Sequence, residues 1–216
     1  MTVTTTEDLP AEDRDGRSLR AAQKRKRRRR TVLDAALRVF SDKGYHQTRV
    51  ADIIEEASIA RGTFYLYFDS KNAIFHELLD LLLERIHENM VGVDLSPGAP
   101  AVRDQILDTV RNILASFRED PALAKFVLRE AVGIDETIDE KLDGFYRQLH
   151  DWLSMSLANG HAIGFIRALD TESVAWLILG SVKQLVQRVL EEEELDLDHL
   201  SRVLLDFNLQ GIMVSD

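Results

Sequence analysis

The chain of 216 residues is 45% hydrophobic, holds no cysteine and carries a net charge of −10. That length and apolar share support one substantial domain or a small one fused to a larger one, and the lack of cysteine excludes disulfides, thiolate metal sites and cysteine nucleophiles. Charge is unevenly spread: −4 over residues 1–16, fourteen Lys and Arg against six Asp and Glu over 17–71, and −14 over 72–216, so a polyanion-facing N-terminal module is expected on an acidic body.

Residues 1–23 open with Thr, Asp and Glu and hold few apolar side chains; they read as a disordered arm. No apolar signal region begins the chain, and its longest apolar stretch, Val174–Val182, is far short of the ~20 residues that span a bilayer. A soluble, cytoplasmic protein with no membrane partner is expected. The run Lys24–Arg30, "KRKRRRR", is either a solvated basic tail or a phosphate-contacting arm. Its place directly before a strong helix favours the arm, with Arg28 and Arg29 as contacts.

A first helix is predicted over about Arg27–Lys43, where Val32, Leu33, Ala36, Leu37, Val39 and Phe40 form one apolar stripe. Gly44 suits the left-handed position that ends it, and Tyr45 can fold back on Phe40. Thr48 is a good N-cap for a short helix over Arg49–Ala57. After the three-residue break "SIA" comes Ala60–Lys71, "ARGTFYLYFDSK", whose β-propensity suggests a strand. On a helix, however, Phe64, Tyr67 and Phe68 share a packing face, leaving Gly62, Thr63, Tyr65 and Leu66 outward with Arg61 at the N-terminus. A face of small, hydroxylated and aromatic groups suits a major groove, and two short helices across a tight turn make a helix-turn-helix.

A fourth helix starts at Asp69-Ser70, with one of the two as cap, and Lys71 in its first turn suits a phosphate. Val91–Pro100, with two prolines and two glycines, is the clearest linker. Further helices are predicted over Ala101–Arg118, Pro121–Val132, Glu136–Ala158, Thr171–Leu190 and Asp198–Ile212. Asp120, Asp170 and either Asp196 or Asp198 are the caps. The fold class is all-α, with domains 24–71 and 72–216 after the arm.

Residues 31–80 resemble the DNA-binding region of the TetR family of bacterial transcriptional regulators. The signs are "LDAALRVFSDKGY", T-x-V-x-D-I from Thr48, A-x-I-x-R-G-T-F-Y-x-Y-F from Ala57 to Phe68, and "SK" opening the fourth helix. The resemblance implies a three-helix DNA-binding domain joined to a helical ligand-binding and dimerisation domain. It places Thr48, Arg61, Gly62, Thr63, Tyr65, Tyr67 and Lys71 at DNA. Phosphate roles fall to Thr48, Tyr65, Tyr67 and Lys71, and base-edge roles to Arg61 and Thr63. Leu66, often polar or aromatic in the family, reads a methyl group or nothing. Ser58 and Ala60 depart from the Gly and Ser usual in the turn. The resemblance also implies a homodimer through residues 171–190 and 198–212 on a palindromic duplex.

Phe117, Phe126, Phe145, Tyr146, Trp152, Phe165 and Trp176 are candidate ligand-pocket residues, with plain core packing the favoured reading for any one of them. The six histidines have no local metal spacing, and the acidic run Glu191–Glu194 reads as a solvated helix end. No metal site, cofactor or catalytic residue is expected, because no nucleophile elbow, phosphate-cradling glycine loop or HExxH motif is present. The resulting expectation is a repressor released by a small hydrophobic effector, with acyl-CoA or an acyl chain and a drug-like aromatic as the candidates. Two alternatives stay open: an effector-independent activator or nucleoid protein, and a helical small-molecule-binding protein whose basic N-terminus is incidental.

Overall fold

The computed structural model describes residues 11–212 apart from 132 and 193, with side chains from residue 19 to residue 211. Over these the chain is all-α. Its helices are α1 Ala11–Lys43, α2 Val50–Glu56, α3 Arg61–Tyr65, α4 Lys71–Glu88, α5 Val102–Glu119, α6 Pro121–Glu130, α7 Glu136–Ala162, α8 Thr171–Glu191 and α9 Leu197–Ile212. Two compact units divide between Phe75 and His76, inside α4, rather than between residues 71 and 72.

The first unit departs from expectation at its start. Helix α1 begins at Ala11, not near Arg27, so residues 11–23 are helical rather than a disordered arm; the rest of that expected arm, residues 1–10, lies outside the described residues. Apolar periodicity is absent there; Ala, Leu, Arg and Gln favour a helix by propensity, while Gly16, Asp13, Asp15 and Ser18 do not. The stripe Val32, Leu33, Ala36, Leu37 and Phe40 is buried as expected. Gly44 ends α1 at φ +78, its N–H donating to the Phe40 carbonyl at 2.9 Å. Tyr45 does fold back, its ring 5.4 Å from that of Phe40.

The turn after α2 closes differently from a glycine turn. Ser58 takes φ +51, while its N–H donates to Glu55 and that of Ile59 to Ile54, the paired bonds of a Schellman motif. A serine there holds a left-handed conformation that glycine adopts without strain. Phe64 and Phe68 anchor α3 from the other side, both buried, and the greasy "TFYLYF" is the end of a helix and the turn after it, not a strand.

In the second unit the expected caps form. Asp120, Asp170 and Asp196 accept from the N–H groups of Leu123, Ser173 and His199, deciding for Asp196 over Asp198. Asp135 caps α7 through the N–H of Ile138. Helix α7 runs on to Ala162, past the expected end at Ala158. Val132, the expected end of α6, and Glu193, within the acidic run, lie outside the described residues. Leu107, Leu157, Ile166, Ala175, Leu205 and Leu209 form a buried cluster from α5, α7, α8, α9 and the turn after α7.

The stretch Val91–Pro100 is not a tether between units. Gln105 pins it: its amide donates to the carbonyls of Asp94 and Pro100 and its oxygen accepts from the Asp94 N–H, each at 2.8 Å. The loop is thereby fixed within the second unit.

Candidate DNA interface and effector cavity

Helix α3 presents two faces. Phe64 is fully buried and Phe68 nearly so, whereas Tyr65 is 45% and Leu66 71% exposed. Arg61 and Gly62 are also exposed, and Thr63 and Tyr67 half-buried. The Arg61 guanidinium lies 5.9 Å from the Tyr65 ring, and that ring meets Phe64 edge-on at 5.3 Å. A Cβ built on Gly62 meets nothing within 4 Å. Internal packing therefore gives no reason for glycine at this position.

Three expected DNA contacts are engaged inside the unit instead. Thr48 is 2% exposed, and its hydroxyl donates to the Gly44 carbonyl at 2.8 Å, so that side chain is not turned toward a phosphate. Nor is Thr48 the cap of α2. Arg49 takes that position, and Asp52 reaches back to accept its N–H at 2.7 Å. That backbone hydrogen bond, followed by the one from Lys43, holds the Asp52 carboxyl below its usual range.

Lys71 is the second case. Its ammonium donates to the carbonyls of Tyr45 (2.7 Å), Thr48 (3.0 Å) and His46 (3.3 Å). An ammonium has three N–H donors, so the set is filled by the turn between α1 and α2. Burial pushes the Lys71 pKa down.

The third is Arg29. Its Nη1 donates to the Tyr67 carbonyl at 2.9 Å, and its guanidinium sits 4.4 Å over the Phe68 ring. It fastens the end of α3 to α1. Arg28, by contrast, is exposed, and so is most of the basic run, now carried on a helix rather than a loose arm.

The second unit encloses a cavity of about 730 Å³, within the range of small-molecule sites. Of the seven aromatic candidates, Phe117, Phe145, Tyr146, Trp152 and Phe165 border it. Phe126 and Trp176 do not: Phe126 is buried in packing on α6, and Trp176 is exposed, stacked on His150 at 4.7 Å. Aliphatic walls such as Leu82, Ile106, Val110, Leu153 and Val182 were not distinguishable in advance, because an apolar stripe reads equally as core. Among the described residues no three His, Asp or Glu side chains are grouped to hold a metal, and no helix is long and apolar enough to cross a membrane.

A family model of bacterial regulatory proteins of the tetR family matches residues 32–78, the span from the α1 stripe to the α4 residues beyond the unit boundary. Over that span the chain has the DNA-binding region of a TetR-type transcriptional regulator. Among similar proteins, the fatty acid metabolism regulator protein of Bacillus subtilis is 28% identical over 84% of this chain and 93% of its own length. The transcriptional repressor KstR of Mycolicibacterium smegmatis is 25% identical over 64% of this chain and 67% of its own. Among solved structures, the fatty acid degradation regulator FadR of Bacillus halodurans superposes with a TM-score of 0.66, at 25% identity, over 85% of this chain and 95% of its own. The helical architecture is shared with that solved regulator, and residues 32–78 match the tetR-family DNA-binding region.

Proposed function

We propose that this TetR-type regulator is a repressor that holds a palindromic operator as a homodimer and releases it when a small hydrophobic effector fills the cavity. The observation that carries the reading is the conjunction, in one chain, of an α3 face left open at Gly62, Tyr65 and Leu66 with a large apolar cavity in the other unit. In this reading Arg61 and Thr63 read base edges. Tyr65, with Arg28 of α1, contacts phosphate, and Tyr67 adds its hydroxyl there. Leu66 meets a thymine methyl, and Gly62 lets the DNA backbone come close.

Exposed apolar side chains on the last two helices support self-association: Trp176 and Leu177 on α8, Val203 and Phe207 on α9, the latter 74% exposed. Two heads set about 34–36 Å apart would meet successive major grooves. The protein would act in the cytoplasm and carry no enzymatic activity. The relatives that regulate fatty acid metabolism support an acyl-type effector over a drug-like aromatic.

The effector must bind the released conformation better than the DNA-bound one, since equal affinity shifts nothing. The test is a binding titration of the protein on duplex fragments flanking its own coding region, at two salt concentrations, with and without candidate effectors. Sequence-selective, salt-sensitive binding that an effector abolishes is the expected result. Binding without sequence preference, or indifferent to every compound that binds the protein, would replace this reading with an effector-independent DNA-binding protein.

A further inference from the structure

Resting on the reading of the cavity as the effector site, we propose that residues 91–95 are its gate and Gln105 of α5 the latch. A ligand enters and leaves when the hydrogen bonds of the Gln105 side chain let this loop swing away.

The loop stands between the cavity and water. Val91, Gly92, Val93 and Leu95 border the cavity, and the same four residues are exposed to solvent. The wall there is a single thickness of loop. Because the apolar side chains of Val91, Val93 and Leu95 are already largely in water, moving the loop outward gives up little buried apolar area.

Its attachment is equally spare. Among the described residues, no backbone hydrogen bond joins residues 92–95 to another element. The Asp94 carboxylate is occupied within the loop, accepting the Ser96 N–H at 2.8 Å. What ties the loop down is one amide. The Gln105 oxygen accepts the Asp94 N–H, and its nitrogen donates to the Asp94 and Pro100 carbonyls. Both donors and one acceptor position of that side chain are thus given to a single loop.

The turn after α7 borders the same cavity through Ile163, Phe165 and Ile166, and it is built the opposite way. Its N–H groups donate back to α7: Ile163 to Asn159, Gly164 to His161, and both Phe165 and Ile166 to Gly160. The Nδ1 of His161 adds a contact of 3.0 Å to the Ile166 carbonyl. Of the two irregular segments, the one held by a side chain alone is the one that opens.

Such a latch has a kinetic signature. Its bonds join protein to protein and not protein to ligand, so they count equally in the empty and the filled molecule. Weakening them speeds entry and exit by the same factor and leaves affinity alone.

The test is stopped-flow fluorescence of the full chain, without DNA, with N-phenyl-1-naphthylamine, a neutral dye that brightens in apolar surroundings. Leu153→Trp, which fills the cavity, identifies the signal that comes from inside it. For that signal, Gln105→Leu should raise the association and dissociation rate constants together by at least about 10-fold, the low end of what three hydrogen bonds contribute jointly, with Kd held within about twofold. Gln105→Glu, which keeps an acceptor for the Asp94 N–H and loses both amide donors, should act in the same direction. His161→Leu, which loosens the turn after α7 instead, should leave both rates as in the wild type. Unchanged rates in both Gln105 variants, a faster dissociation matched by weaker affinity, or acceleration by His161→Leu would overturn the gate and leave the cavity reading standing. A dye signal that survives Leu153→Trp intact would overturn the gate and the cavity as effector site together.

Discussion

The ammonium of Lys71 lies 2.7 Å from the Tyr45 carbonyl oxygen and 4.3 Å from the centre of the same residue's ring. A lysine that sequence pattern places at a phosphate is thus the clasp of the turn between α1 and α2. Lys71→Met is expected to lower the stability of the head by about 1–3 kcal/mol, because carbonyls lose their donor. The slope of DNA affinity against salt should stay unchanged. Thermal unfolding and a salt series separate the two roles: a slope reduced by about 0.9 with full stability would restore the phosphate contact.

Gly62 sits in the exposed part of α3 with open space where a Cβ would go. Gly62→Ala should therefore stabilise the fold slightly, by about 0.5–1 kcal/mol, and yet weaken operator binding by interposing a methyl group before the DNA backbone. Unfolding and DNA titration of the same preparation give opposite signs if this is right. Unchanged DNA affinity would remove Gly62 from the interface.

Ser58 occupies a left-handed position at φ +51. Ser58→Gly is expected to raise the stability of the head by about 1 kcal/mol, seen as a higher denaturation midpoint at constant m value.

His150 places one ring nitrogen 3.0 Å from the Glu172 carbonyl oxygen and the other 3.3 Å from the Asp151 carboxylate. The carbonyl first, then the carboxylate, raises its pKa above the usual histidine value. A raised folded-state pKa means the imidazolium's contribution is fully present below the ordinary value near 6.5 and is lost as pH climbs through the folded one. The Tm difference between the wild type and His150→Gln should accordingly be larger at pH 6 than at pH 8.5. Equal differences at the two pH values would show that the ring is held by its stack on Trp176 alone.

Much of this was legible in sequence, for a physical reason. The α1 stripe, the glycine stop at Gly44 and the caps at Asp120 and Asp170 are local, set by spacing within one turn of helix. The division of "TFYLYF" into a buried and an exposed face followed from the same periodicity. What escaped was tertiary. Lys71 and Arg29 have long side chains whose targets, the Tyr45 and Tyr67 carbonyls, exist only once distant segments meet. Whether Phe117 lines a cavity while Phe126 packs solidly depends on helix rotation, to which composition is blind. The N-terminal turns of α1 escaped because no apolar period marks them in the sequence.

The central claim is that filling the cavity releases the DNA. Its most direct test is fluorescence anisotropy of a labelled duplex from the protein's own upstream region, at fixed salt, with the cavity ligand added at a concentration shown by calorimetry to saturate the protein. The apparent Kd for DNA should rise at least about 10-fold, a coupling of about 1.4 kcal/mol. Unchanged DNA affinity on a protein demonstrably full of ligand would contradict it.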